Sequence, residues 1–201
     1  MRITAAILVL GLLIGCSKPP EKVVVPEVFH VQFETSKGNF TVEVHRAWAP
    51  RGADRFHELV RMRYFDQGRF FRVLPGFIAQ FGVHNKFEVH DVWRKMFIPD
   101  DPPLEKNLRG TLAYAKSDPG TRATEVFINL KDNPDLDEQR FVPFGKVIDG
   151  MEVIDQFYSG YGEFRPKGKN LDPGRIEEEA NEYLIPRFPK LDYVKTAKFV
   201  P

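Results

Sequence analysis

Phe70-Phe71-Arg72-Val73-Leu74-Pro75-Gly76-Phe77-Ile78-Ala79-Gln80-Phe81-Gly82 sets one arginine and one glutamine into an otherwise apolar run that turns back on itself at Pro-Gly. Alternation with period two predicts two short strands, with Phe71, Val73 and Ile78 on one face and Arg72, Phe77 and Gln80 meeting on another. Pro75 pre-sets the first central turn position and Gly76 accepts positive φ at the second, so the strands return side by side. A lone arginine in a hairpin is ordinarily a solvated surface residue. Here a cation, an amide and a phenyl ring share one small platform, and the surrounding motifs give that platform its meaning.

The string Phe-x-Arg-Val-x-Pro-Gly-Phe-x-x-Gln-x-Gly resembles the signature of the cyclophilin peptidyl-prolyl isomerases, and the resemblance extends from about Val28 to Tyr158. Phe29–Thr35 and Phe40–Val44, joined at Lys37-Gly38-Asn39, resemble the opening hairpin of that family, and Ala49–Val60 its first helix. Gly110–Ala115, Thr124–Asn129 and Phe144–Met151 resemble the later strands and the lead into a second helix. The resemblance implies a mainly β fold, a closed eight-stranded antiparallel barrel capped by two helices, here with a C-terminal extension. A small barrel is filled by its own side chains, so substrate is expected on the outer wall.

The domain expected from these motifs covers residues 28–165. Its first helix, about Pro50 to Met62, places Ala53, Phe56, Leu59 and Val60 on one face, and the helix after Gly150 offers Val153, Ile154 and Phe157. Residues 83–109 read as a long loop in which Trp93 and Phe97 pack against the body. Residues 166–201 read as an extension packed on the barrel: Ile176 to Leu184 is helix-prone, Pro186 and Pro189 end that run, and Leu191 to Lys195 suits a last strand. Some 36 residues bury too little core to stand alone.

The N-terminus carries an address. Met1-Arg2 precedes an apolar stretch, Ile3 to Ile14, too short to span a bilayer, which ends in Leu13-Ile14-Gly15-Cys16. This resembles a bacterial lipoprotein signal: residues 1–15 removed, Cys16 lipidated, and 16–27 a tether holding the domain off a membrane surface. The expected location is the cell envelope facing the periplasm, with Ser17 favouring the outer membrane in a diderm source. Cys16 is the sole cysteine, which excludes disulfides, thiol catalysis and cysteine zinc sites from the mature domain. The formal net charge of +1 loses Arg2 with the signal, and no basic stripe points to nucleic acid. A monomer is expected.

The chemistry that the resemblance implies is rotation about a prolyl amide, whose resonance barrier is about 18–20 kcal/mol. Twisting removes conjugation and makes the prolyl nitrogen basic, so a donor aimed at it stabilises the twisted state over the planar one. Arg72 is the expected catalytic group, because a guanidinium stays charged and presents several donors in a fixed fork. Phe77, Ile78 and Phe127 are expected to form the proline pocket with Leu136 at its rim, Gln80 to bond the substrate backbone and fix Arg72, and Ala115 with Lys116 to hold the residue before proline. Neither cofactor nor metal is required: the histidines lack ligand spacing, and Asp132, Asp135, Asp137 and Glu138 lack calcium-loop spacing.

Several positions depart from the family's pattern. Glu125 replaces a usual glutamine, Lys116 an asparagine and Phe141 a histidine, while Asp135 falls near the place of an aromatic. Glu125 matters most: a carboxylate there either locks Arg72 in an ion pair, so that Glu125→Gln raises activity, or orients the fork as the amide does. The expected function is isomerisation of X-Pro bonds in envelope or secreted proteins, with a proline-peptide binding or scaffold module of weak turnover as the alternative.

Overall fold

The computed structural model describes residues 24–166 and 171–201. The signal segment, Cys16 and the tether up to residue 23 lie outside the described residues, as do residues 167–170 of the expected extension. In chain order the elements are β1 (Val28–Thr35), β2 (Asn39–His45), α1 (Pro50–Arg61), β3 (Arg72–Leu74), β4 (Ile78–Phe81), α2 (Phe87–Trp93), β5 (Thr111–Tyr114), β6 (Val126–Asn129), α3 (Pro134–Glu138), β7 (Pro143–Asp149), α4 (Met151–Ile154), α5 (Pro173–Arg187) and β8 (Val194–Val200).

Alternation builds the sheet. Phe29, Val31 and Phe33 of β1 and Phe40, Val42 and Val44 of β2 all turn inward, with His30, Gln32, Thr41 and Glu43 between them on the other face. The eight strands form one antiparallel sheet in the order β3-β4-β6-β5-β7-β2-β1-β8. β3 and β8 remain its edges, so the expected closed barrel is an open, curled sheet. Among the described residues the gap between those edges is bridged by Arg69 opposite Tyr193, the Phe70 N–H on the Asp192 carbonyl at 2.9 Å, the Gln67 N–H on the Val194 carbonyl at 2.7 Å and the Val194 N–H on the Gly68 carbonyl at 3.0 Å. These bonds come from residues 67–70, ahead of β3, and none of them extends the named strands into a continuous ladder.

α1 starts on Pro50, whose missing N–H costs nothing in a first turn, and buries Ala53, Phe56, Leu59 and Val60 against the sheet. Phe33 stacks on Phe40 at 4.8 Å and meets Phe56, Phe65 and Phe81, so phenyl rings fill the centre. The second expected helix is only the short α4, and three more helices occur among the described residues. One of them, α2, lies in the stretch read as a loop; Trp93 at its end is buried, whereas Phe97 is 57% exposed instead of packed.

The C-terminal residues form a second apolar cluster: Leu171, Ile176, Tyr183, Leu184, Phe188 and Leu191 close over Phe71 and Val83, with Phe87, Tyr161 and Phe164 at the margin. α5 bends at Ala180, whose φ is 48°, and runs through Pro186 to Arg187. β8 then pairs along β1, His30 opposite Val200 and Phe33 opposite Ala197.

Candidate active site

The hairpin register sets the site. β3 and β4 pair Arg72 with Gln80, Val73 with Ala79 and Leu74 with Ile78, around the turn at Pro75, Gly76 and Phe77. Gly76 has φ 68° and the Phe77 N–H returns to the Leu74 carbonyl at 2.9 Å. Because three residues form this turn, Ile78 shares the face of Arg72 and Gln80 instead of that of Val73. Phe71 is buried in the C-terminal cluster and not in the main core with Val73. Pairing through β6 and β5 continues the sorting. Ala79, Phe81, Val126, Ile128, Leu112 and Tyr114 face the main core; Ile78, Phe127, Ala113 and Leu136 form a separate outer cluster edged by Phe77, Ala115 and Phe141.

A groove of about 330 Å³ opens over that outer cluster, lined by Arg72, Phe77, Ile78, Gln80, Ala115, Lys116, Phe127, Leu136, Gln139, Phe141 and Phe164. Glu125 lies next door, in a groove of about 440 Å³ that shares Gln80, Ala115 and Lys116 and adds Arg94, Phe97 and Glu177. The structure thus brings the expected site residues of the described chain to two adjoining grooves; Asp135 is exposed and lines neither. Gly82 lets the chain after β4 pass close to the backbone that carries Glu125: its φ is 112°, and a Cβ there would lie 2.4 Å from the Thr124 carbonyl oxygen.

α3 and the polar residues beneath it hold the apolar wall. Asn133 Nδ2 donates to the Phe77 carbonyl at 3.0 Å and to Asn129 Oδ1 at 2.8 Å, and Leu130 N–H donates to the same Phe77 carbonyl at 2.9 Å. Asp137 accepts from the Asn107 backbone and side chain, and Asp132 from the Arg109 N–H, so these acidic residues fix loops. Phe141 meets Phe127 edge to face at 5.6 Å. Lys116 pairs with Asp100 at 3.2 Å and lies 5.7 Å from the Phe141 ring. The Ala115 N–H is taken by the Glu125 carbonyl at 2.9 Å.

Arg72 sits at the centre of a polar chain. Its Nη1 donates to Gln80 Oε1 at 3.1 Å, and Gln80 Nε2 donates to Glu125 Oε2 at 2.6 Å. The carboxylate on the guanidinium is not Glu125 but Glu163, which takes Nε and Nη2 at 2.6 Å each. Glu125 instead meets the carboxyl of Glu177 from α5. Burial pushes Glu125 well above the usual carboxylate range, and its hydrogen bond and charge contact with Glu177 push the same way, outweighing Gln80 and Arg72. Burial also acts upward on Glu177, but hydrogen bonds with Glu125 and His90 bring it down to about 2. Glu125 therefore holds a proton more tightly than Glu177 does. Buried His90 continues the chain, its Nε2 3.2 Å from Glu177 and its Nδ1 2.9 Å from the Tyr64 hydroxyl.

Glu163, Phe164, Gln139 and Glu177 are absent from the sequence-based site. Glu163 is 91 residues from Arg72 along the chain, and no local pattern signals that meeting.

An antiparallel eight-stranded sheet that carries an arginine-edged apolar groove on its outer face has the architecture of the cyclophilin class. The family model described as cyclophilin type peptidyl-prolyl cis-trans isomerase matches residues 30–178, and the chain belongs to that family. Peptidyl-prolyl cis-trans isomerase-like 1 of Aspergillus niger is 32% identical over 158 residues, covering 76% of this chain and 97% of that protein. A bacterial peptidyl-prolyl cis-trans isomerase, from Acinetobacter baylyi, is 34% identical over 134 residues, 63% of this chain and 70% of its own. The crystal structure of a cyclophilin type isomerase of Cryptosporidium parvum shares the fold, with TM-score 0.61 at 20% identity over 87% of this chain and 98% of that one. The protein is a peptidyl-prolyl cis-trans isomerase of the cyclophilin type.

Proposed function

We propose that catalysis takes place in the Arg72 groove, on X-Pro segments of proteins in the cell envelope or in transit through it. The observation that carries this reading is the placing of the Arg72 fork at the edge of a pocket walled by Phe77, Ile78, Phe127 and Leu136. A proline ring seated on those side chains brings its nitrogen toward the guanidinium. Gln80 holds one side of the fork and is held in turn by Glu125, so Arg72 needs little reorganisation when the amide twists. No covalent intermediate is needed, since rotation alone is the reaction. Ala115 and Lys116 lie at the far side of the groove, suited to the residue that precedes proline. The related Cryptosporidium parvum isomerase was crystallised in the presence of the dipeptide Ala-Pro, which accords with a proline-sized pocket here.

The lipoprotein signal adds the place of action: Cys16 carries the lipid and residues 16–27 the tether, with the domain working as a monomer beside the membrane. A coupled-proteolysis or NMR-exchange assay with X-Pro peptides tests the site, because Arg72→Ala abolishes most turnover if the reading holds. Metabolic labelling with palmitate, lost in Cys16→Ala, tests the anchor. A second reading, a recognition module with weak turnover, is favoured by one contact, the Glu163 carboxylate on Arg72. Peptide binding without catalysis in the wild type would establish it.

A further inference from the structure

We propose that Glu163 is a positioning residue for the isomerase reaction, clamping one edge of the Arg72 guanidinium so that its remaining donors face the proline pocket, and that Phe164 completes the pocket wall. This rests on Arg72 being the group that meets the prolyl nitrogen.

A guanidinium has five N–H groups in one plane, and a carboxylate that binds two of them in parallel fixes the plane as well as the distance. Glu163 takes Nε and Nη2 at 2.6 Å each, and Gln80 takes one Nη1 proton at 3.1 Å. Among the described residues, one proton on Nη1 and one on Nη2 remain for a ligand. The ring of Phe164 lies 5.2 Å from the Arg72 Cζ and that of Phe77 5.7 Å, so aromatic contacts supplement the clamp.

The segment is itself anchored from behind. Phe164 bridges to Leu171, the Arg165 N–H bonds the Leu171 carbonyl at 3.0 Å, and the Phe164 ring packs against Phe71 at 6.2 Å. The Phe164 N–H donates to Glu163 Oε1 at 2.7 Å, which orients the carboxylate. A plug would fill the groove. Instead, about 330 Å³ stays open beside Arg72, and Phe164 borders that space together with Phe77 and Phe127. A long arginine side chain has many rotamers, and holding one of them aimed at the reacting nitrogen favours the twisted state more than the planar substrate.

The test uses the full chain and measures kcat and KM separately for Glu163→Ala, Glu163→Gln and Glu163→Asp, with Arg72→Ala as reference and thermal unfolding alongside. Glu163→Ala is expected to lower kcat by about tenfold with KM little changed. Glu163→Gln, whose amide oxygen still accepts from the fork, should stay within about threefold of wild type. In NMR spectra the Arg72 Nε–H signal is expected to exchange slowly in wild type and Glu163→Gln and to be lost in Glu163→Ala. If Glu163→Ala does not fold, Glu163→Asp decides, its shorter arm expected to lower kcat as well. An unchanged kcat in the folded variants overturns the proposal, and a rise does so more strongly, since Glu163 would then be competing with substrate. Activity retained in Arg72→Ala would overturn the underlying assignment of Arg72, whereas a dead Arg72→Ala beside a fully active Glu163→Ala removes only the role given to Glu163.

Discussion

On one side of the groove Arg72, Ile78 and Gln80 stand on a hairpin whose register is set by its own turn. On the other side Glu163 and Phe164 arrive from a segment with little regular structure, held by contacts with Leu171 and Phe71. The hairpin wall would be recognisable in any chain that carried its motif. The C-terminal wall exists only because a second apolar cluster draws distant residues over the hairpin's outer surface. A groove whose one wall is a short motif can thus be bordered on the other by groups that lie far from that motif in the chain.

The sharpest way to break this pairing is at Phe71, the hairpin residue buried in the C-terminal cluster. Phe71→Ala is expected to cost about 3–5 kcal/mol in urea unfolding, as removal of a buried ring does. Its residual activity would also show whether the hairpin functions once the second wall is loosened. Next in size is Arg72→Ala, expected to raise the barrier by about 2–4 kcal/mol, or roughly 30- to 1,000-fold in kcat/KM, with little change in melting temperature.

Glu125 and Glu177 join the walls through the contact of their carboxyl groups, so pH sharpens the comparison. Facing Glu125 are Gln80 and Arg72 from the hairpin and Glu177 from α5, with His90 and Arg94 of the α2 region behind Glu177. Glu125 is raised above its ordinary 4.5, so its contribution to stability is complete below that pH and is lost as pH climbs through the raised value. Glu177, held at about 2, acts in the opposite sense: its contribution is complete above 4.5 and is lost as pH falls toward 2. In Glu125→Gln the alkaline loss should vanish, leaving a melting temperature higher than wild type by about 3 °C at pH 8. Activity at neutral pH should stay within about twofold, because glutamine accepts from Gln80 and donates to Glu177. The increase expected from Glu125 as a competitor of Arg72 no longer follows, since Glu163 occupies that position.

The smallest effect belongs to Lys116, which touches both grooves but is tied to Asp100. Lys116→Ala is expected to change KM by less than about threefold while leaving kcat intact, and a larger fall in kcat would assign Lys116 to the reacting side of the groove.

What could be read from the chain alone follows the same division. Arg72, Phe77, Gln80 and Phe127 belong to strands and turns whose side-chain directions obey a period of two, so their meeting on one face follows from short-range geometry. Ile78 shows how narrow that margin is, because one additional turn residue moves it to the other side. Glu163 stands in a stretch with no periodic signature and Glu177 in a helix-prone run whose pattern says nothing of its partner, and the first meets Arg72 where Leu171, Phe188 and Leu191 pack over the hairpin. α2 was hidden for a related reason: it is short and buries only His90 and Trp93, too few positions for a helical stripe to show.

β8 bears on a different hazard. It covers the outer edge of β1, pairing His30 through Thr35 with residues 194–200, and presents exposed Lys195 and Lys198 to solvent as the new edge. A chain cut before Val194 would leave Val28–Thr35 as a bare border of unpaired amides and carbonyls beside Phe29, Val31 and Phe33, without a lysine to discourage recruitment. Proteolytic loss of the C-terminal strand would therefore expose a template for strand-by-strand association.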